Sequence, residues 1–141
     1  MANIVELREL NNQELTEAVE EAREEMFNLR FQKATGSLEN TARIGQVKRE
    51  IAQLNEILQK REWAVAEVAK IPEVAAALEG KSWEGEARYI YEDGVWQVTL
   101  SDDGGKELAT AQVDLNKKRR RTRRQRDNIL PINKVESYEV A

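Results

Sequence analysis

NTARIGQVKREIAQLNEIL, residues 40–58, is the stretch on which the fold turns. Its apolar side chains are Ile44, Val47, Ile51, Leu54 and Leu58, spaced three, four, three, four. That spacing lines them up on one narrow stripe of a helix. Arg43, Gln46, Lys48, Arg49 and Gln53 take the other faces. Upstream, Leu15, Ala18, Ala22, Met26 and Leu29 form a second stripe. Between the two lies KATGSLEN, with Gly36 as a helix stop and Ser37 or Asn40 as a cap. The expected result is two helices folded back on each other as an antiparallel hairpin.

The outer limits of the hairpin follow from local signals. Asn11 with Glu14 three positions on makes a capping box, so helix one starts there and runs to about Lys33. Ahead of it, IVELREL (residues 4–10) allows one or two helical turns. Helix two continues to about Lys70, with Gly45 inside it costing about 1 kcal/mol relative to Ala. Pro72 to Gly80 has proline at a first helical position and glycine just past an end, which predicts a short third helix.

From Glu86 the apolar period changes to two. EARYIYEDGVWQVTL contains Asp93-Gly94, the signal of a two-residue hairpin turn. Such a turn pairs Tyr91 with Trp96, Tyr89 with Val98 and Ala87 with Leu100. A four-residue loop at 102–105 then sets Ala109 opposite Val98 and Ala111 opposite Trp96. Three strands thereby share one apolar face, which Val74 and Leu78 of the third helix, or Trp83, are placed to cover. After them comes KKRRRTRRQR (residues 117–126), eight basic residues in ten with nothing to bury. Ile129, Leu130, Pro131, Ile132, Val135 and Tyr138 follow as a docking segment. The fold class is therefore α+β: a long antiparallel two-helix hairpin (coiled coil), a short helix, a small three-stranded antiparallel β-meander and a basic, extended C-terminal tail. The domains are 1–70, 71–115 and 116–141.

Composition narrows the function. Among 141 residues there is no Cys and no His, which removes disulfides, thiolates and the usual general base and metal ligand. No apolar run approaches the roughly 18 residues needed to cross a membrane, and MANIVELREL lacks the features of a signal or transit peptide. Acidic pairs lie on helix faces at charge-patterning spacing, and Gly104-Gly105 lacks the following Lys-Ser/Thr of a phosphate loop. No catalytic residue, metal site, cofactor or small-molecule substrate is expected, and an enzyme is the least supported class. The net charge of −4 conceals an asymmetry. Residues 1–62 are net −3, residues 63–116 net −7 and residues 117–141 net +6. Such separation points to separate tasks.

The hairpin also carries a resemblance. Phe27-Asn28-Leu29-Arg30-Phe31-Gln32 ends helix one, and Ala34-Thr35-Gly36-Ser37-Leu38 makes the turn. Asn40-Thr41-Ala42-Arg43-Ile44 and Lys48-Arg49-Glu50-Ile51-Ala52 follow in helix two. In order and spacing these blocks resemble the large-subunit ribosomal protein family numbered twenty-nine, over about the first 62 residues. The sequence departs from that family at Gly45 and Gln53, where it is often basic. The resemblance implies a structural constituent of the large ribosomal subunit. It would bind large-subunit ribosomal RNA near the exit of the peptide tunnel, beside the ribosomal protein numbered twenty-three, where nascent-chain factors dock. The expected location is a cytoplasmic ribosome, with an organellar ribosome as the other option.

The acidic first half of helix one would repel phosphate, so RNA contact is expected at the other end of the hairpin. The candidates there are Asn28, Arg30, Gln32, Lys33, Thr35, Arg43, Lys48 and Arg49. Arg pairs bidentately with phosphate, while Asn, Gln and Thr suit sugars and base edges. The bland reading of the same residues is a solvated helix face. The second candidate set is Lys117, Lys118, Arg119, Arg120, Arg121, Arg123, Arg124 and Arg126, as a clamp on nucleic acid or as a targeting signal. Phe27 and Phe31 are expected to pack near the hairpin seam. Trp83, Tyr89, Tyr91 and Trp96 are expected in the core of the sheet, and Trp63 is unassigned. The alternative function is a free-standing coiled-coil adaptor with a basic nucleic-acid-binding or targeting tail.

Overall fold

The structure is a computed structural model that describes residues 3–117 and 133–141. Its elements are α1 (Ile4–Glu9), α2 (Asn12–Thr35), α3 (Ala42–Ala69), α4 (Pro72–Leu78), β1 (Trp83–Ile90), β2 (Val95–Asp102), β3 (Glu107–Val113) and β4 (Val135–Val140). Two units divide the chain, Met1–Gln59 and Lys60–Ala141.

In the first unit α2 starts where the sequence signals it. The Asn11 side chain accepts from the Glu14 N–H at 2.8 Å, and the Glu14 carboxylate accepts from the Asn11 N–H at 2.9 Å. The two bonds satisfy donors that a helix start leaves without partners. The helix ends at Gly36, which takes φ 76° and donates back to the carbonyls of Gln32 and Lys33. A side chain other than glycine's is disfavoured at that angle. Buried residues from the two long helices interlock in two clusters. Ala22, Met26 and Leu29 meet Val47, while Leu15 and Val19 meet Leu54 and Ile57. Leu7 of α1 belongs to the second cluster. Helix α1 widens the buried face, so Val19 and Ile57 go deeper than the expected Ala18 and Leu58, which are only partly buried.

The second unit is built on a four-stranded antiparallel sheet of order β1-β2-β3-β4, one strand more than the sequence reading placed there. The added strand, β4, lies where that reading put the end of the tail. It pairs with β3 through Ala109↔Val140, Ala111↔Tyr138 and Val113↔Val135. The basic run therefore lies between two paired strands.

The register of the first hairpin also differs from expectation. Tyr89 faces Trp96, Ala87 faces Val98 and Gly85 faces Leu100, because the connection has four residues, 91–94, rather than two. Gly94 closes it at φ 65°, donating to the Ile90 carbonyl at 2.9 Å. At the next hairpin Val98 faces Ala111 and Leu100 faces Ala109, with a bulge between Leu100 and Ser101. Both pairings are shifted by two residues, and a two-residue shift keeps every side chain on its face. The apolar face survives as Ala87, Trp96, Val98, Leu100, Ala109, Ala111 and Val113. Ala64 and Val68 of α3 and Val74 and Leu78 of α4 cover it. Trp83 and Tyr89 are half-buried at its margin, whereas Tyr91 is exposed rather than in the core.

Candidate RNA-binding surface

The turn end of the hairpin presents most of the predicted residues to solvent. Asn28, Arg30, Gln32, Lys33 and Thr35 are exposed on the last two turns of α2, and Lys48 and Arg49 are exposed on α3. Among the described residues Arg30, Lys33, Lys48 and Arg49 enter no ion pair. Their charges therefore face outward, suited to a polyanion. The Thr35 hydroxyl is engaged locally, within 3.2 Å of the Phe31 carbonyl and 3.1 Å of the Gln32 carbonyl. Asn40 helps to start α3, its side chain accepting from the Ala42 N–H at 3.1 Å.

Arg43 is placed differently. Its Nε and Nη2 reach the two carboxylate oxygens of Glu25 at 2.6 and 2.9 Å, a fork between α3 and α2. Glu50 lies at 3.6 Å from Nη1. The hydrogen bond from Arg43 holds the Glu25 carboxyl below the usual carboxylate range, and the same bond raises the guanidinium pKa. Arg43 thus fastens α3 to α2 at the partly exposed edge of the seam, while Arg30, Lys33, Lys48 and Arg49 stay exposed. Its pairing could not be foreseen, because it joins residues 18 positions apart on different helices.

Phe27 and Phe31 correct an expectation. They are 70% and 64% exposed, not packed at the seam. Helical geometry explains it. At about 100° per residue, Phe27 and Phe31 lie roughly 130° and 170° around from the stripe through Ala22, Met26 and Leu29. The signal was present in the numbering and outweighed only by their apolar character. Two aromatic rings four residues apart on one helix face are suited to stacking on bases.

Of the second candidate set only Lys117 lies within the described residues. Its ammonium group is 3.3 Å from the Glu136 carboxylate, so it ties the end of β3 to β4. Lys118, Arg119, Arg120, Arg121, Arg123, Arg124 and Arg126 fall outside the described residues. Among the described residues no group of three acidic, His or Cys side chains could hold a metal ion. No helix there is long and apolar enough to cross a membrane.

Residues 5–61 match the family described as Ribosomal L29 protein. The chain is similar to large ribosomal subunit protein uL29 of Corynebacterium jeikeium, 61% identical over 57 residues that make up 40% of this chain and 74% of the relative. It is similar to the uL29 protein of Corynebacterium diphtheriae, 52% identical over 63 residues, 45% of this chain and 83% of the relative. The protein of the same name from Geobacillus stearothermophilus is 52% identical over 59 residues, 42% of this chain and 89% of the relative.

Proposed function

Because the chain belongs to the uL29 family of ribosomal proteins, we propose that it is a structural constituent of the large ribosomal subunit, held on ribosomal RNA by the turn end of its hairpin. The observation that carries this reading is the exposed set of Arg30, Lys33, Lys48 and Arg49 inside the matched residues, together with the outward rings of Phe27 and Phe31. The cations neutralise phosphates and the rings take unpaired bases. Asn28 and Gln32 add hydrogen bonds to sugars or base edges. Arg43 contributes indirectly, by holding α2 and α3 together through Glu25.

The finer parts of this reading rest on the family likeness. They are a position near the peptide-tunnel exit, contact with the neighbouring protein numbered twenty-three, proximity to nascent-chain factors and residence on cytoplasmic ribosomes. The role is non-catalytic, and the absence of His and Cys from the sequence supports that. The basic run 117–126 supplies a second contact to RNA, offsetting the charges missing at Gly45 and Gln53.

Two measurements test the proposal. The full chain should co-sediment with large subunits at low salt; a chain that stays in the supernatant is a free-standing adaptor instead. In a salt series on large-subunit RNA fragments, log affinity falls by roughly 0.7 to 0.9 per phosphate contact for each log unit of salt. Replacing Arg30, Lys48 and Arg49 by Ala should lower that slope by about 2. Replacing the seven basic residues of 118–126 by Gln should lower it by about 4 if five of them reach phosphates. Substitution is preferred to deletion because the run joins two paired strands. An unchanged slope in both variants overturns the phosphate contacts.

A further inference from the structure

The second unit contains an open groove that the hairpin surface does not use. Four of its residues come from the end of α3 and just beyond it: Lys60, Trp63, Glu67 and Lys70, spaced three, four, three, hence on one side of the helix. The facing wall is Leu115, Asn116 and Lys134, at the junction of β3 and β4. There the Asp114 N–H donates to the Lys134 carbonyl at 2.8 Å, so the wall is fixed by the sheet itself. The groove holds about 450 Å³, inside the range of roughly 300–1,000 Å³ typical of ligand sites. Trp63 is 52% exposed, although the α3 residues on either side of its turn, Arg61 and Ala64, are buried. An indole left half in water beside three lysines, with a single carboxylate among them, is an unusual use of the largest side chain.

We propose that this groove is a nucleotide-binding subsite, in which one unpaired base of a single-stranded RNA segment stacks on Trp63 while its flanking phosphates lie against Lys60, Lys70 and Lys134. Three observations favour an anionic, aromatic occupant. The lysines outnumber the acid three to one, and Glu67 is already within 3.2 Å of the Lys70 ammonium. Trp63 supplies a planar face, and such faces bind bases with little regard to sequence. The chain that leaves at Lys117 and returns at Asn133 carries the sequence's densest positive charge, and both ends of that stretch adjoin Asn116 and Lys134 on this rim. The proposal deepens the ribosomal RNA reading but rests on residues of the second unit alone.

The full chain is titrated with a short oligoadenylate and with an abasic oligonucleotide of equal length, by fluorescence anisotropy. Trp63→Ala should weaken oligoadenylate binding about tenfold, while Trp63→Phe, which keeps a ring, should stay within about threefold. The abasic strand should bind the unaltered chain about tenfold more weakly than oligoadenylate and should not respond to Trp63→Ala. Lys60→Gln with Lys134→Gln should lower the salt slope by about 1.4, two contacts at roughly 0.7 each for single strands. Equal binding of the two strands by the unaltered chain, or no effect of Trp63→Ala, overturns the stacking site and leaves a charged surface only. Retained far-ultraviolet circular dichroism keeps a folding defect from imitating the result. Co-sedimentation with large subunits is read in parallel. Its failure would overturn the ribosomal reading without altering the oligonucleotide result, so the two fail separately.

Discussion

Along the hairpin the deepest residues form two short clusters, Leu15–Val19–Leu54–Ile57 with Leu7, and Ala22–Met26–Leu29–Val47. Around the sheet thirteen buried residues form one cluster, drawing on two helices and all four strands. The hairpin buries Leu15, Val47 and Ile57 fully, but Ile44, Ile51 and Leu58 along the same seam remain partly exposed. A sheet covered by helices closes around its side chains, and Val98, Leu100 and Val113 are fully buried. Both surfaces keep aromatics in water: Phe27 and Phe31 on the hairpin, and Trp63 and Tyr91 on the sheet unit, which nevertheless buries Trp96 to 3% exposure. The unit with the thinner core is the one matched by the ribosomal family, which is consistent with a hairpin that completes its burial on a partner.

The sharpest test of this contrast is a pair of cavity substitutions. Leu100→Ala in the sheet should cost about 3–4 kcal/mol, in the middle of the range for enclosed leucines. Loss of the near-ultraviolet signal of Trp96 at a lower denaturant midpoint would show it. Leu54→Ala in the hairpin should cost less, about 2–3 kcal/mol, because a two-helix seam relaxes into the space more easily. Equal costs would mean that the seam is as tightly packed as the sheet.

A smaller effect separates the turns. Gly94→Val puts a β-branched residue at φ 65°, and Gly36→Ala puts a methyl group at φ 76°. The first should cost about 2 kcal/mol and the second about 1 kcal/mol. Thermal melting of each variant checks the order, and a Gly94→Val chain that melts like its parent would remove the four-residue turn as a determinant of the sheet.

The smallest effect concerns Glu25 and Arg43. The Glu25 pKa is depressed in the fold, chiefly by its hydrogen bond from Arg43. A depressed carboxylate stabilises the fold above its unfolded pKa, about 4.3 for Glu. That contribution disappears as the pH falls through the lower folded value. The hairpin's melting temperature should therefore drop on acidification below about pH 4.3, and Glu25→Gln should flatten part of that drop. Both side chains are more than a third exposed, so the effect is modest and salt-sensitive. An identical acid profile in Glu25→Gln would show that the fork adds nothing to hairpin stability.

Much of this architecture was legible in the residues themselves. Stripes at three-four spacing announced α2 and α3, Asn11 with Glu14 announced a cap, and Gly36 announced a stop. These are local signals: each depends on residues within one or two turns, and neighbouring residues in a helix are neighbours in space. The alternation in β1, β2 and β3 likewise announced which side chains face inward. It could not announce the register, because a slip of two residues leaves every face as it was. The length of the Ile90–Val95 connection settled that, through Gly94.

Other features belonged to the tertiary structure alone. Val135 to Val140 became a strand only because β3 offered a free edge to pair with, and pairing across an intervening basic run leaves no mark in local composition. Arg43 is tied down because Glu25 lies opposite it on the other helix, and Val19 and Ile57 sank because α1 covers them. The groove beside Trp63 exists only where the end of α3 meets the β3–β4 junction. The sequence by itself determined the elements, their faces and the family of the hairpin, since propensity, capping and periodicity act over a few residues. Which edge is paired and which charge is clamped depend on contacts between residues far apart in the chain, and only folding brings those together.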